Sequence, residues 1–596
     1  MSLVRPKQMA KALNLDKFGP FGTAMSYVLM RVLGLQQLNK IYKDHKHEKG
    51  LNFLDGVLED LQIDFDIPKE DLERIPKEGP FITVSNHPLG GIDGILLLKL
   101  ILEQRSDFKI IANFILNRIV PLRPYIMPVN PFENRKDLKS SVAGIKAALG
   151  HLKEGKPLGI FPAGEVSTYK DGNLRVDKQW ESGAIRIIQK AKVPVIPIYF
   201  HAKNSGLFYR LAEMSETLRT AKLPSELLTQ KRRTIKVRIG RPIQAKELEA
   251  YENLEDLNGF LRAKTYILSK VYNQKIRKFI RPTFKFPKMP KEIIDPISPL
   301  EIQMEVDDLR IQGDRLFENK TYEVFLAKSE DIPNLLIEIG RLREVTFRAV
   351  GEGSNKSLDL DQYDTYYRHL FLWDKQANRF VGAYRMGFGN EILPKFGMAG
   401  FYINELFEFD KAMYPVMQES LEMGRAFIVE EYQQKALPLF LLWRGIAHVI
   451  VRNPNLKYLC GGVSISNDFS DFSKSLMIDF VKQHHYDEDF AQHIKPRKEF
   501  KVKLDAKDRD FVEDKTKADL NKFDQLISEL EPGMLRVPVL LKKYIKQNAK
   551  IAAFNVDPKF NNVVDGLIFM RVSDLPESTL KPVLEEINQV IEKQDH

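Results

Sequence analysis

One cysteine, Cys460, stands among 596 residues. That excludes an internal disulfide and a Cys-rich metal site, and it suits a reducing compartment. The sequence also lacks any unbroken apolar run of about 20 residues, the length a spanning helix needs. The nearest stretch, Met25 to Leu35, is interrupted by Ser26 and Arg31; a helix lying on a membrane stays open, but one crossing it is not expected. No basic segment leads into an apolar core and a small-residue cleavage site at the N-terminus, so the cytoplasm is the expected compartment. No RNP, zinc-finger or helix-turn-helix pattern occurs, which argues against a nucleic-acid partner. His484 and His485 stand near Asp487, Glu488 and Asp489 in a charged stretch without ligand spacing, and no metal is expected there.

What is present is ordinary globular composition, 43% hydrophobic and 29% charged, at a length that allows two to four domains. The net charge of +10 is unevenly placed. Residues 1–290 hold 49 Lys and Arg against 30 Asp and Glu, while the remainder holds 41 against 50. The first half therefore calls for an anionic partner, such as a membrane face or an acidic carrier protein, unless it is a plain solvated surface. Its densest runs are Lys231, Arg232, Arg233, Lys236, Arg238 and Arg241, then Arg277 to Lys291. Five prolines fall within residues 281–300, with no periodic pattern, which reads as a linker. Before it, short apolar runs alternate with helical patterns (81–85, 109–113, 158–161, 193–200, 234–239), as in an α/β layer structure. After it, strands are expected at 322–327, 379–387, 422–429 and 458–465, with helices between them. The expected organisation is an amphipathic, membrane-contacting segment over 1–48, an α/β domain over 49–280, the linker over 281–300, and an α+β domain over 301–596.

The first chemical constellation follows the run Phe81 to Val84: Ser85, Asn86, His87, Pro88, Leu89, Gly90, Gly91, Ile92, Asp93. This places His87 in a glycine-containing loop at a strand end, with Asp93 in reach, the arrangement of a general base held by a carboxylate. A turn in which His87 merely caps the next helix fits these residues equally well. A second strand ends in Phe161, Pro162, Ala163, Gly164, Glu165, Val166, Ser167, a small-residue loop able to share a cleft with the first. A third run, Val193 to Tyr199, contains two prolines.

In this order the three pieces resemble the PlsC-type glycerolipid acyltransferases, whose successive motifs are Asn-His-x4-Asp, Phe-Pro-x-Gly and Val-Pro-x-x-Pro. The resemblance implies that His87 activates an acceptor hydroxyl, Asp93 orients it, and Asn86, Phe161, Pro162, Gly164 and Glu165 bind substrate, with no cofactor. The family's intermediate arginine motif falls at Pro131 to Arg135, which makes Arg135 a substrate-binding candidate. One departure stands out: five residues, not four, separate His87 from Asp93, an extra residue that Gly90-Gly91 can absorb. The Asn-His-Pro-x-Gly-Gly-x-Asp-Gly form is similar to the branch that acylates hydroxyls of acylated amino acids.

In the second half, Leu421 to Val429 precedes a strongly apolar helical run, Leu437 to Val451. In a regular strand Glu422 and Arg425 face opposite ways, so sharing a cleft requires a bulge, for which Gly424 is suited; a surface ion pair is the plainer reading. Together with Arg341 to Phe347, the acidic block Asp359 to Asp364, His369 and Val381 to Arg385, the segment resembles GNAT-fold N-acyltransferases of the haemolysin-like group that makes ornithine and glycine lipids. The resemblance implies that Glu422 positions or deprotonates an amine, that Arg425 shapes the acyl site, and that Arg385 binds substrate. The turn that would cradle coenzyme A pyrophosphate on a helix N-terminus is missing from EEYQQKALPLF. Acetyl-CoA is therefore not expected as donor; the resemblance implies instead a 3-hydroxyacyl group on acyl carrier protein for the N-acyl step, with carrier protein or coenzyme A as the second donor.

The two implied activities are sequential, because a 3-hydroxyacyl amide carries the hydroxyl that the first domain would esterify. The expected function is synthesis of a diacylated aminolipid from an amino acid and then an acyl-amino acid, at the inner face of the cytoplasmic membrane. Two competing expectations are a lysophosphatidic acid acyltransferase with a GNAT-like regulatory half, and a membrane-associated scaffold without catalysis.

Overall fold

The apolar runs become strands of two separate sheets. The computed structural model describes all residues except 1–4, 13–14, 33, 130–137, 172–173, 215, 273–289, 351, 532–534 and 595–596. Contacts divide the chain into two units. One comprises Met1–Gln274 with Ser528–Met534, the other Lys275–Ile527 with Leu535–His596. The first unit thus recovers a short segment from late in the chain. Residues 281–289 of the Pro-rich segment, with Arg281, Lys285 and Lys288, lie outside the described residues, as do Arg277 and Lys278 before it; the segment's last two residues open a helix, Pro299–Gln312, where proline at the first position costs no hydrogen bond.

Among the described residues the first unit holds a seven-stranded sheet: β1 (Asp64–Asp66), β2 (Ile82–Ser85), β3 (Lys109–Asn113), β4 (Ile126–Val129), β5 (Leu158–Ile160), β6 (Val195–His201) and β7 (Thr234–Ile239). Their order is β1-β7-β6-β2-β5-β3-β4, with only the β6–β7 pair antiparallel. Side chains of β2 alternate between two cores. Phe81 joins Leu96, Leu97, Ile198 and Val237 on one face, while Ile82 and Val84 join Ile160, Ile185 and Leu261 on the other, as the two-residue strand period requires. Helix α1 (Gly91–Leu102) is apolar nearly all round and correspondingly buried; each of its buried Leu and Ile side chains stabilises the unit by about 1.5–3 kcal/mol. Arg238, read as part of a basic surface, is instead fully buried and ion-paired to Asp71 at 2.7 Å.

The second unit holds, among the described residues, an eight-stranded sheet: β8 (Arg315–Asn319), β9 (Tyr322–Lys328), β10 (Arg368–Asp374), β11 (Arg379–Phe388), β12 (Ser420–Ile428), β13 (Tyr458–Ile465), β14 (Lys550–Asp557) and β15 (Val563–Arg571). The order is β8-β9-β10-β11-β12-β13-β15-β14, antiparallel except for β12–β13. Helices α2 (Pro333–Ala349) and α3 (Ala436–Arg452) belong to this unit. The charged stretch 501–517 forms mainly one helix, Ala506–Thr516.

Candidate active sites

In the first unit, parallel pairing sets Ile82 beside Leu158 and Val84 beside Ile160, so the loops leaving β2 and β5 emerge at the same edge of the sheet, where open α/β sheets carry their sites. After β2 the chain turns into α1 through Gly90, whose φ of +80° is a conformation that side chains beyond glycine rarely adopt. That turn takes up the additional residue. Asp93 Oδ2 accepts from the Leu89 and Gly90 amides at 2.7 and 3.0 Å and lies 3.1 Å from His87 Nδ1, an ion-pair distance at an angle poor for a hydrogen bond. Asp93 is fully buried while the His87 side chain keeps 19% of its surface exposed. Burial pushes the Asp93 carboxyl up, against the pull of His87 and the two amides.

The Phe161 ring lies 4.4 Å from the imidazole, centroid to centroid. Gly164 has φ +67°, and Glu165 meets Arg219 at 2.8 Å and Lys178 at 3.5 Å. Pro162 accepts from the Glu181 amide through its carbonyl. Asn86, expected to bind substrate, has its amide engaged at both ends by the Phe200 backbone, at 3.0 and 2.7 Å; it anchors the end of β2 to β6. Arg135 lies outside the described residues.

Asp177 had no sequence signal and ties the two loops together. Its Oδ1 accepts from the His87 amide at 3.2 Å and from Ser167 Oγ at 2.5 Å, its Oδ2 accepts from Trp180 Nε1 at 3.2 Å, and the Ser167 amide donates to the His87 carbonyl at 2.8 Å. A buried carboxylate with three donors is a firm anchor.

In the second unit, β12 pairs with β13 only from Ser420–Tyr458 to Glu422–Cys460. Beyond that point the two strands line a cavity of about 480 Å³, with Met423 to Ile428 on one side and Gly462 to Ser464 on the other, closed partly by Leu439, Leu442 and Tyr544. The register of β11 against β12 shifts between Ala383 and Arg385. The pivot is Arg425, at φ +51°, and not Gly424 as the sequence suggested. A non-glycine residue in this region is strained, and the guanidinium is held there by Asp359 and Asp361 at 3.4 and 3.5 Å and by the faces of Tyr402 and Phe560. The bulge brings Glu422 and Arg425 to the same cavity.

Glu422 Oε2 accepts from the Tyr367 hydroxyl at 2.5 Å and the Tyr402 amide at 3.2 Å, and Oε1 accepts from the Ile403 amide at 3.0 Å. Burial pushes its carboxyl up to about 7, with Tyr367, Arg385 and the amides opposing. Arg385 does not line the cavity. Its guanidinium donates to Asp361 at 2.6 Å and Asp364 at 3.1 Å, and Arg343 also donates to Asp364; the two arginines hold the Asp364 carboxyl well below the usual range.

The family described as acyltransferase matches residues 9–274, and the acetyltransferase (GNAT) domain family matches residues 342–443. A glycine N(alpha)-acyltransferase of Phocaeicola vulgatus is 29% identical over 304 residues, covering 48% of this chain and 90% of that protein. A lyso-glycine lipid O-acyltransferase of Bacteroides thetaiotaomicron is 30% identical over 223 residues, 36% of this chain and 79% of that protein. The chain belongs to the acyltransferases. Its first half is PlsC-like and its second half carries a GNAT domain. The solved PlsC acyltransferase of Thermotoga maritima is 18% identical, with 39% of this chain and 80% of that one covered and a TM-score of 0.25.

Within the GNAT half, sequence reasoning missed two carboxylates, Glu352 and Asp565, that share the cavity with Glu422. They lie far from the motif in sequence and reach it only through α2 and the β13–β15 pairing. The Asp557-Pro558-Lys559-Phe560 segment leads into the turn between β14 and β15 and delivers Phe560 to Arg425.

Proposed function

We propose that the chain makes a diacylated aminolipid in two steps. The GNAT half transfers a 3-hydroxyacyl group from acyl carrier protein to the amine of an amino acid, glycine by analogy with the relatives. The PlsC-like half then esterifies the new hydroxyl with a second acyl group. The observation that carries this reading is the joining in one chain of two acyltransferase halves whose named relatives act on glycine and on a lyso-glycine lipid, since the first chemistry generates the acceptor of the second.

In the GNAT half the amine must be neutral when it attacks the thioester carbonyl, and Glu422 is the group that takes or relays its proton. Carbon–nitrogen bond formation expels the carrier thiol. In the PlsC-like half His87 takes the proton of the acceptor hydroxyl as oxygen attacks the second thioester, while Asp93 and Asp177 hold the imidazole and its loop. The substrate side of that site includes Phe161, Gly164 and the Glu165 ion pairs. Neither step needs a cofactor beyond the acyl donors.

The N-terminal helices expose Phe18, Phe21, Met25, Tyr27 and Val28. Together with the positive charge of the first half they support peripheral binding to an anionic membrane face, and no described helix is long and apolar enough to cross a membrane. The reading is tested by giving the purified full chain glycine, a 3-hydroxyacyl thioester of acyl carrier protein and, in parallel, lysophosphatidic acid. N-acylglycine followed by its O-acyl ester is expected. Phosphatidic acid without any N-acyl product would instead favour the lysophosphatidic acid activity.

A further inference from the structure

The cavity of the GNAT domain carries more negative charge than Glu422 supplies. Register sets Asp565 opposite Ser464 on β13 and Asn555 on β14. Asp565 lines the cavity and is 6% exposed; its Oδ1 accepts from Ser464 Oγ at 2.6 Å, but its Oδ2 accepts no hydrogen bond among the described residues. Glu352, three residues after α2, lines the same cavity with neither a hydrogen bond nor an ion pair to its carboxylate among them. Asp557 lines it too. Arg425 is the one cation among the lining residues, and it is already shared by Asp359 and Asp361.

Carboxylates gathered out of water that outnumber the cations beside them repel one another and resist ionisation. Burial and the charge of Asp557 push Asp565 up to about 6, against the Ser464 hydrogen bond and Arg425, while burial and the charges of Asp565 and Asp468 push Glu352 up to about 7. A cationic ligand removes that penalty. Among the described residues no group of three or more His, Cys, Asp or Glu is placed to hold a metal ion, so the geometry favours a small organic cation that hydrogen-bonds to separated carboxylates. The cavity also contains Glu422, which puts this cation beside the reacting centre.

We propose that Asp565, with Glu352 beside it, is the subsite that receives the acceptor amino acid as its ammonium ion. The inference rests on the N-acyltransferase reading above. Asp565 and Glu352 hold the ammonium while one of its protons passes to Glu422, the freed lone pair forms the nitrogen–carbon bond, the carbon–sulfur bond breaks, and the second proton lost by nitrogen ends on the departing thiol. Asp565 and Glu352 thus select for a charged amine, while Glu422 lies at the strand junction.

The test uses the full chain, a 3-hydroxyacyl thioester of acyl carrier protein as donor and glycine as acceptor, comparing wild type with Asp565→Asn and Glu352→Gln. The expected result is a rise of tenfold or more in KM for glycine in each variant, with KM for the donor unchanged. In equilibrium binding, wild type prefers glycine over glycolate, which has a hydroxyl where glycine has the ammonium, by tenfold or more, and Glu352→Gln narrows that preference. The Glu352 carboxylate has no hydrogen bond or ion pair to lose among the described residues, so its variant decides the question even if Asp565→Asn fails to fold. An unchanged KM for glycine in Glu352→Gln alongside active wild type overturns the subsite and leaves the functional reading standing. Absence of any N-acyl product from wild type overturns the functional reading and the subsite with it.

Discussion

Replacing Glu422 with glutamine removes one ionisable group while keeping the shape of the site. The glutamine carbonyl can still accept from the Ile403 amide, and its NH2 can donate to the Tyr367 oxygen; what is lost is the second acceptor for the Tyr402 amide, a cost of about 1–3 kcal/mol. Loss of a general base lowers kcat by roughly 10²–10⁴, about 3–5 kcal/mol in the barrier. With the carboxyl pushed up to about 7, wild-type N-acylation should rise with pH through that value, because a base acts only when unprotonated. The assay is N-acylglycine formation from pH 5 to 9 at saturating glycine, where Asp565 and Glu352 are occupied. The Glu422→Gln variant should lose both the rate and the limb near 7, while O-acylation at His87 persists. Stability should move in the opposite sense. The folded state holds a proton on Glu422 that the unfolded chain releases above about 4.5, so the GNAT half should lose about 3 kcal/mol as pH rises from 4.5 through 7, and the variant should lose less. A glutamine variant with kcat within threefold of wild type and the same pH profile would refute the assignment of Glu422 as base.

Three further outcomes can be checked. Gly90→Ala forces a Cβ onto a φ of +80° within 3.3 Å of Val166 and Leu223 side chains; it should destabilise the PlsC-like half by about 1–2 kcal/mol, read by chemical denaturation, and lower O-acylation more than N-acylation. Asp177→Asn weakens three charge-assisted hydrogen bonds, from the His87 amide, Ser167 Oγ and Trp180 Nε1, and should cut kcat for O-acylation at least tenfold with KM for acceptor little changed. Phe21→Asp with Val28→Asp, both strongly exposed, should reduce flotation with anionic vesicles and leave folding intact by circular dichroism; undiminished flotation would exclude this helix as the membrane contact.

The parts legible in the sequence were those with a local signal. Runs such as Ile82–Ser85 and Val195–His201 are buried along nearly their whole length, and strands of that kind in a parallel sheet read as short continuous apolar segments between turns. Strand Val563–Arg571 is equally buried, but its apolar run carries no period to separate it from a helix, and the same holds for its neighbour Lys550–Asp557. Asp64–Asp66 has acidic residues on both sides of Phe65, and Ile126–Val129 carries Pro128, so neither reads as an apolar strand run. The His87–Asp93 contact was suggested by spacing, whereas its fit depends on one left-handed glycine. The bulge was anticipated at Gly424 from conformational freedom; it settled on Arg425 because ion pairs and aromatic faces hold the guanidinium there. Asp177, Glu352 and Asp565 had no signal, since a lone carboxylate has no period and its partners are brought in by topology.

Mass spectrometry of lipids from a bacterial host expressing the wild type, His87→Ala and Glu422→Ala tests the two-step order most directly. The expected profiles are a diacylated aminolipid in the wild type, its mono-N-acyl precursor alone in His87→Ala, and neither in Glu422→Ala. A His87-dependent rise in phosphatidic acid with no aminolipid in any strain would contradict it.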